Sequence, residues 1–268
     1  MKVLLVGANG YIGSRLISFL LEKGHTVVCL VRDKRRFQKY NAFGQQVTLI
    51  TGDLLKEQSI AHLPPDIDAA YYLVSSMAET VDFAQLEALS AHNFTHVLDK
   101  TNCRQTIFLS GIINDDKPDR RFQLHGHVED VLREGKTALT ILRAATIIGP
   151  GSTSFEIIRS LTGKLPILPV AGWVNAPCQP IWIGDVLAYL EGIALNPKAF
   201  NKTFDIGGPE ILTFKQMMHV YAEARKLKRY MITIPFLSPK ISSYWLHFVT
   251  SASYASAASL VNSMKKGS

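Results

Sequence analysis

Two hydrophobic periods take turns along the first half of the chain. Short apolar, β-branched runs occupy Lys2–Val6, Thr26–Val31, Val47–Ile50, Ala69–Val74, Thr106–Leu109 and Leu139–Leu142, and longer amphipathic stretches separate them. Runs this short and this continuously apolar fit strands buried on both faces. Between the first two runs, Ile12, Leu16 and Leu20 recur at helical spacing, and Gly24 offers the left-handed stop that commonly ends a helix. A second crossover is predicted over 82–99, with Phe83, Leu86, Leu89 and Phe94 or Val97 on its apolar stripe. Strand and helix patterns in alternation predict βαβ units, hence an α/β protein with a doubly wound parallel sheet.

Regular alternation stops after Gly149-Pro150-Gly151. Prolines at 150, 166, 169, 177, 180, 209, 235 and 239 then cut the chain into short pieces. The expected organisation is a core domain over 1–150 and a smaller C-terminal substrate lobe over 151–268, interleaved with the core. No 20–50-residue period suggests a repeat. The N-terminus runs straight into a strand pattern without the n-, h- and cleavage regions of a signal peptide. The stretch from Ile241 to Met264 is serine-rich and interrupted by His247 and Asn262, too polar for a membrane span, and reads as a docking helix.

The segment joining the first strand to the first helix carries the clearest chemistry: Val6-Gly7-Ala8-Asn9-Gly10-Tyr11-Ile12-Gly13. In such a turn the first glycine allows the sharp reversal, the second lets the backbone approach a pyrophosphate, and the third permits close helix–sheet packing. Unsatisfied amides at the helix start then face the phosphates. In this context the motif indicates a Rossmann dinucleotide site formed by Gly7, Asn9, Gly10, Tyr11, Ile12 and Gly13. About twenty residues on, where such a fold distinguishes the two dinucleotides, the second strand ends Leu30-Val31-Arg32-Asp33. Arg32, supported by Lys34, Arg35 and Arg36, suits a 2′-phosphate, whereas Asp33 could accept from a 2′-hydroxyl. NADP(H) is therefore favoured over NAD(H).

The formal net charge of +7 suits anionic partners, but the basic residues crowd near Arg32 and form no aromatic-interleaved stripe, so no nucleic acid is expected. Three scattered cysteines, Cys29, Cys103 and Cys178, make neither a disulfide framework nor a zinc cluster, which points to a reducing, cytoplasmic setting. No metal is assigned.

Taken together, several motifs resemble the extended short-chain dehydrogenase/reductase (SDR) superfamily, in its atypical NmrA-like, NAD(P)H-binding group, over nearly the whole length. Besides the glycine turn they are Gly52-Asp53-Leu54, Tyr72-Leu73-Val74-Ser75, Phe108-Leu109-Ser110-Gly111, Leu142-Arg143-Ala144-Ala145 with Gly149-Pro150, Gln179-Pro180-Ile181 with Asp185-Val186, and Phe204 to Glu210. The resemblance implies that Asp53 and Leu54 meet the adenine and that Leu73, Val74 and Ser75 border its ribose. It also implies that Ser110 with Ala144, Ala145 and Thr146 approach the nicotinamide. A plainer role for Asp53 is a turn residue capping the next helix.

The superfamily's active members carry a Tyr-x-x-x-Lys pair for proton transfer. This chain has no tyrosine between 73 and 188, and the corresponding helix holds Phe122, Leu124, His125, Gly126, His127, Glu129 and Asp130. His127 could replace the acid, with Glu129 or Asp130 raising its pKa, and Ser110 could assist; a surface or packing role for the histidine stays open. Trp173, Trp182, Phe155, Met217 and Met218 could line an apolar substrate pocket or form core. Two functions follow: an oxidoreductase passing hydride between NADPH and an apolar carbonyl or quinone-like substrate, or a non-catalytic NADPH-sensing regulator or assembly factor acting on a protein partner. Sugar-nucleotide epimerisation, suggested by fold analogy alone, is disfavoured by the missing tyrosine.

Overall fold

The computed structural model describes residues 1–40, 43–74, 81–112 and 120–234, with backbone alone described at 39, 40, 44, 81–84 and 120–126. In chain order the elements are β1 (Lys2–Val6), α1 (Tyr11–Glu22), β2 (Thr26–Val31), α2 (Lys34–Tyr40), β3 (Val47–Thr51), α3 (Glu57–Ile60), β4 (Ala69–Tyr72) and α4 (Val81–Leu98). They continue with β5 (Gln105–Gly111), α5 (Arg120–Arg133), β6 (Ala138–Ala144), β7 (Ile147–Ile148), α6 (Thr153–Lys164), β8 (Ile167–Ala171), β9 (Pro177–Cys178) and β10 (Ile181–Trp182). Last come α7 (Ile183–Gly192), β11 (Thr203–Ile206), β12 (Leu212–Thr213), α8 (Phe214–Ala224) and β13 (Tyr230–Ile234).

The chain divides into two units. The first comprises Met1–Gly111, Pro118–Arg143 and Gly184–Asp205; the second comprises Ile112–Lys117, Ala144–Ile183 and Ile206–Ser268. A seven-stranded sheet in the order β11-β6-β5-β4-β1-β2-β3 organises the first unit. Strand β1 pairs parallel with both β2 and β4, and β2–β3 and β4–β5 are parallel too. Between β6 and β11 the Ile141 amide donates to the Lys202 carbonyl and the Ala145 amide to that of Ile206, so the two strands advance in the same direction. Strand order reverses between β1 and β4, and the carboxyl ends of the strands there open the crevice in which such sheets bind ligands.

Burial explains why the apolar runs become strands: Val3, Leu4 and Leu5 of β1 and Val27, Val28 and Cys29 of β2 are fully enclosed. Helix α1 turns Gly13, Leu16, Ile17 and Leu20 inward. It ends in a Schellman arrangement, with the His25 amide donating to the Leu20 carbonyl and Gly24, at φ +77°, donating to that of Leu21. The expected stripe on α4 needs correction. Leu86 and Leu89 are exposed, and Phe83 lies outside the described side chains; Ser90, Ala91, Asn93, Phe94, Val97 and Leu98 are buried. The later turns of α4 carry its inward face, where Phe94 packs its ring 5.0 Å from that of Tyr72.

In the second unit Ile157, Ile158 and Leu161 of α6, Leu168 and Val170 of β8, Cys178, and Phe214, Met217 and Met218 of α8 form a separate core. Met217 and Met218 are thus core residues, Trp173 lies 5.5 Å from the Phe214 ring, and Trp182 is exposed. The Thr213 hydroxyl and the Gln216 side chain cap α8 reciprocally. The expected docking helix over 241–264 lies outside the described residues, among which no helix is long and apolar enough to cross a membrane.

Candidate dinucleotide site

The three glycines after β1 do different jobs. Gly7 sits at φ +90°, and a Cβ there would lie 2.6 Å from the Leu73 carbonyl oxygen. At Gly13 a Cβ would come within van der Waals exclusion of the Gly7 carbonyl, so the first turn of α1 presses directly on the loop. Both therefore answer to the fold's own packing. Gly10 does not: its φ is −74°, and its Cβ would meet only the Gly7 oxygen, at 3.2 Å. The space above Gly10 is what a ligand would use. As the N-cap of α1, Gly10 brings no capping side chain, and the first turn holds no acidic residue. The helix thus presents amides and a positive dipole end to that space.

Around this turn, Asn9 is exposed, while Tyr11 and Ile12 are half-buried. The Arg15 guanidinium lies 4.0 Å from the centre of the Tyr11 ring and donates to the Tyr11 carbonyl. Leu73 donates its amide to the Val6 carbonyl, which fixes the β4 exit against the glycine loop. Leu73 and Val74 are half-buried, and Ser75 lies outside the described residues.

Arg32 is exposed at the carboxyl end of β2. The neighbouring Asp33 accepts the Arg35 and Arg36 amides on one carboxylate oxygen, at 2.8 and 3.1 Å, and so caps α2. Asp53 also has a local task, since its carboxylate accepts the Leu55 amide at 3.1 Å. The Ser59 hydroxyl accepts the Asp53 amide and contacts its carbonyl oxygen, pinning the backbone of this turn. Leu54 packs against the core, and its carbonyl accepts from the buried Asn93 amide of α4 at 2.7 Å. Sequence reasoning missed Asn93; its signal was a polar residue set among Ala91, Phe94 and Val97.

On the other side of the order reversal, Ser110 closes β5. Its hydroxyl is buried without a hydrogen-bond partner among the described residues. Ala144 ends β6, and Ala145 and Thr146 follow it in the second unit. His127 is exposed on α5. Of the two carboxylates expected to support it, Glu129 is buried and takes two hydrogen bonds from the Arg143 guanidinium at 3.1 and 2.7 Å, while Asp130 is exposed. A buried carboxylate needs such a partner, and two-point guanidinium pairing provides it. No metal-binding group of three or more His, Cys, Asp or Glu occurs among the described residues.

A parallel sheet in this order, with a cap-free helix start behind a glycine turn, defines a nucleotide-binding α/β protein. Residues 7–161 match the NAD(P)H-binding family, and the chain belongs to it. Its relatives include the Arabidopsis thaliana mitochondrial NADH dehydrogenase [ubiquinone] 1 alpha subcomplex subunit 9, 24% identical with 86% of this chain covered. Another is the photosystem II assembly factor Ycf39 of Synechocystis, 27% identical over 41% of this chain. The chain spans 59% of the length of the first and 33% of the second. A nucleoside-diphosphate-sugar epimerase from Staphylococcus aureus shares the SDR-like fold, with a TM-score of 0.78 and 15% identity over 100% of this chain and 91% of its own.

Proposed function

We propose that the chain binds NADPH and uses it to set its conformation for a protein partner, without tyrosine-dependent carbonyl chemistry. The observation that carries this reading is the pairing of Glu129 with Arg143. The inward carboxylate of α5 is spent on an ion pair, and His127, the titratable candidate for proton transfer, points outward. The cofactor half, by contrast, offers what a dinucleotide needs: an exposed Gly10, a cap-free helix start, and an exposed Arg32 beside an Asp33 that caps α2. Such a ligand acts by binding one conformation better than another. Two relatives, a dehydrogenase subunit and an assembly factor, bear names that describe joining other proteins, which agrees with this role.

A second reading has one observation in its favour. The partnerless Ser110 hydroxyl at the end of β5 would suit a contact to nicotinamide or substrate during direct hydride transfer from NADPH to a quinone-like acceptor. NADPH would supply the hydride, and Ser110 would donate to an acceptor oxygen.

Fluorescence titration with NADPH and NADH, followed by a screen for NADPH oxidation with quinones and aldehydes, separates the two. Saturable binding with no oxidation is expected. Steady oxidation that falls in Ser110→Ala would replace the first reading with the second.

A further inference from the structure

At the opposite edge of the first unit's sheet lies a cleft of about 600 Å³. It is built where β5, β6 and β11, adjacent in the sheet, begin. Arg104 immediately precedes β5, Lys136 and Thr137 precede β6, Arg133 ends α5, and Phe200 with Asn201 forms the turn before β11. The glycine turn leaves β1 at its carboxyl end, so the cleft and the dinucleotide site occupy opposite ends of parallel strands.

Three cations and no carboxylate line this cleft. None of Arg104, Arg133 and Lys136 takes part in an ion pair among the described residues, where the other bridges engage different cations. Two carboxylates lie behind its lining, Asp68 and Asp99, the latter accepting the Lys136 backbone amide at 2.9 Å. Like charges gathered in a concavity repel one another, and low-dielectric walls focus their field, so the arrangement raises the local concentration of anions. The walls are also held in place. Arg133 donates to the Thr203 hydroxyl at 3.1 Å, and Asn201, at φ +56°, accepts the Leu139 amide on its side-chain oxygen. Phe200 gives one side an apolar surface.

We propose that this cleft is a binding site for a small multivalent oxyanion, a polycarboxylate or a phosphorylated metabolite, separate from the dinucleotide site. Guanidinium groups pair bidentately with either, and Lys136 adds a point charge.

The test is calorimetric titration of the NADPH-saturated protein with citrate and, separately, with inorganic pyrophosphate. Saturating NADPH keeps the phosphate-binding turn filled. One-site binding of at least one probe is expected, the stronger probe naming the source. Arg133→Gln combined with Lys136→Gln should weaken it about tenfold or more, the scale of about 1.4 kcal/mol, with NADPH affinity unchanged. Arg225→Gln combined with Lys228→Gln removes the same charge from exposed positions elsewhere and should leave anion binding intact. Absence of saturation with both probes, equal losses in the two double variants, or binding that disappears once NADPH is bound would overturn the proposal.

Discussion

Within the glycine turn, what each residue owes to the fold can be separated from what it owes to the ligand. Gly7 and Gly13 are fixed by close contacts inside the protein, whereas a Cβ at Gly10 would press only on the Gly7 carbonyl oxygen, at 3.2 Å. Gly13→Ala should therefore cost about 1 to 3 kcal/mol of stability, as overpacking does, measured by denaturant unfolding. Gly10→Ala, which presses only on the Gly7 oxygen at 3.2 Å, should cost less stability than Gly13→Ala, yet weaken NADPH about tenfold or more. If Gly10→Ala kept full affinity, the pyrophosphate would have to lie elsewhere. Arg32 makes a parallel case. Asp33 caps α2 through one carboxylate oxygen, and the exposed Arg32 guanidinium beside it is the group expected to read a 2′-phosphate, with Lys34, Arg35 and Arg36 in support. Arg32→Ala should cost NADPH about 1.5 to 3 kcal/mol, the worth of a charged hydrogen bond, and leave NADH unaffected. Equal losses in parallel titrations would remove Arg32 from that role.

At the scale of elements, sequence patterns predict well where one period fills an element and poorly where packing changes along it. The core strands and α1 were legible because their apolar positions keep one period from end to end. Helix α4 was legible in extent but not in face: Leu86 and Leu89 continue the stripe on paper, yet among the described side chains of α4 the buried ones begin at Ser90. Asn93 was invisible to the pattern because a buried amide takes its meaning from Leu54, a partner 39 residues away. Asn93→Leu should leave that carbonyl without its donor and lower stability by about 1 to 3 kcal/mol. The same loss should loosen the Asp53–Leu54 turn. Fluorescence competition with a 2′-phosphoadenosine fragment should then show weaker binding in the variant, and unchanged fragment affinity would separate α4 from the adenine side of the site. The Glu129–Arg143 pair was hidden for the same reason, so sequence reasoning left Glu129 or Asp130 as support for His127.

For the whole molecule, the division into two units raises the question of whether they open together, and the three cysteines supply a probe in each. Cys29 lies in β2 and Cys103 before β5, both in the first unit, while Cys178 belongs to the second. Burial pushes the Cys29 thiol up to about 12 and those of Cys103 and Cys178 to about 11. The thiolate is the reactive form, and an ordinary cysteine near 8.5 is substantially ionised at pH 8. Cys103 and Cys178 should therefore react with a disulfide reagent at pH 8 about a hundredfold more slowly than a free thiol and Cys29 about a thousandfold more slowly, and all three promptly in denaturant. Labelling of the buried Cys29 and Cys178 in the native protein must then proceed through local or global opening, whereas the half-buried Cys103 can react from the folded state. A ligand held by the first unit suppresses any opening that dissolves its site, by about a hundredfold at a hundred times its dissociation constant. NADPH should accordingly slow Cys29 and slow Cys178 much less, as read by mass spectrometry of labelled peptides. Equal protection at the two would mean that the chain opens as one cooperative body. Protection of Cys178 alone would place the cofactor's main contacts in the second unit and overturn the assignment to the turn after β1.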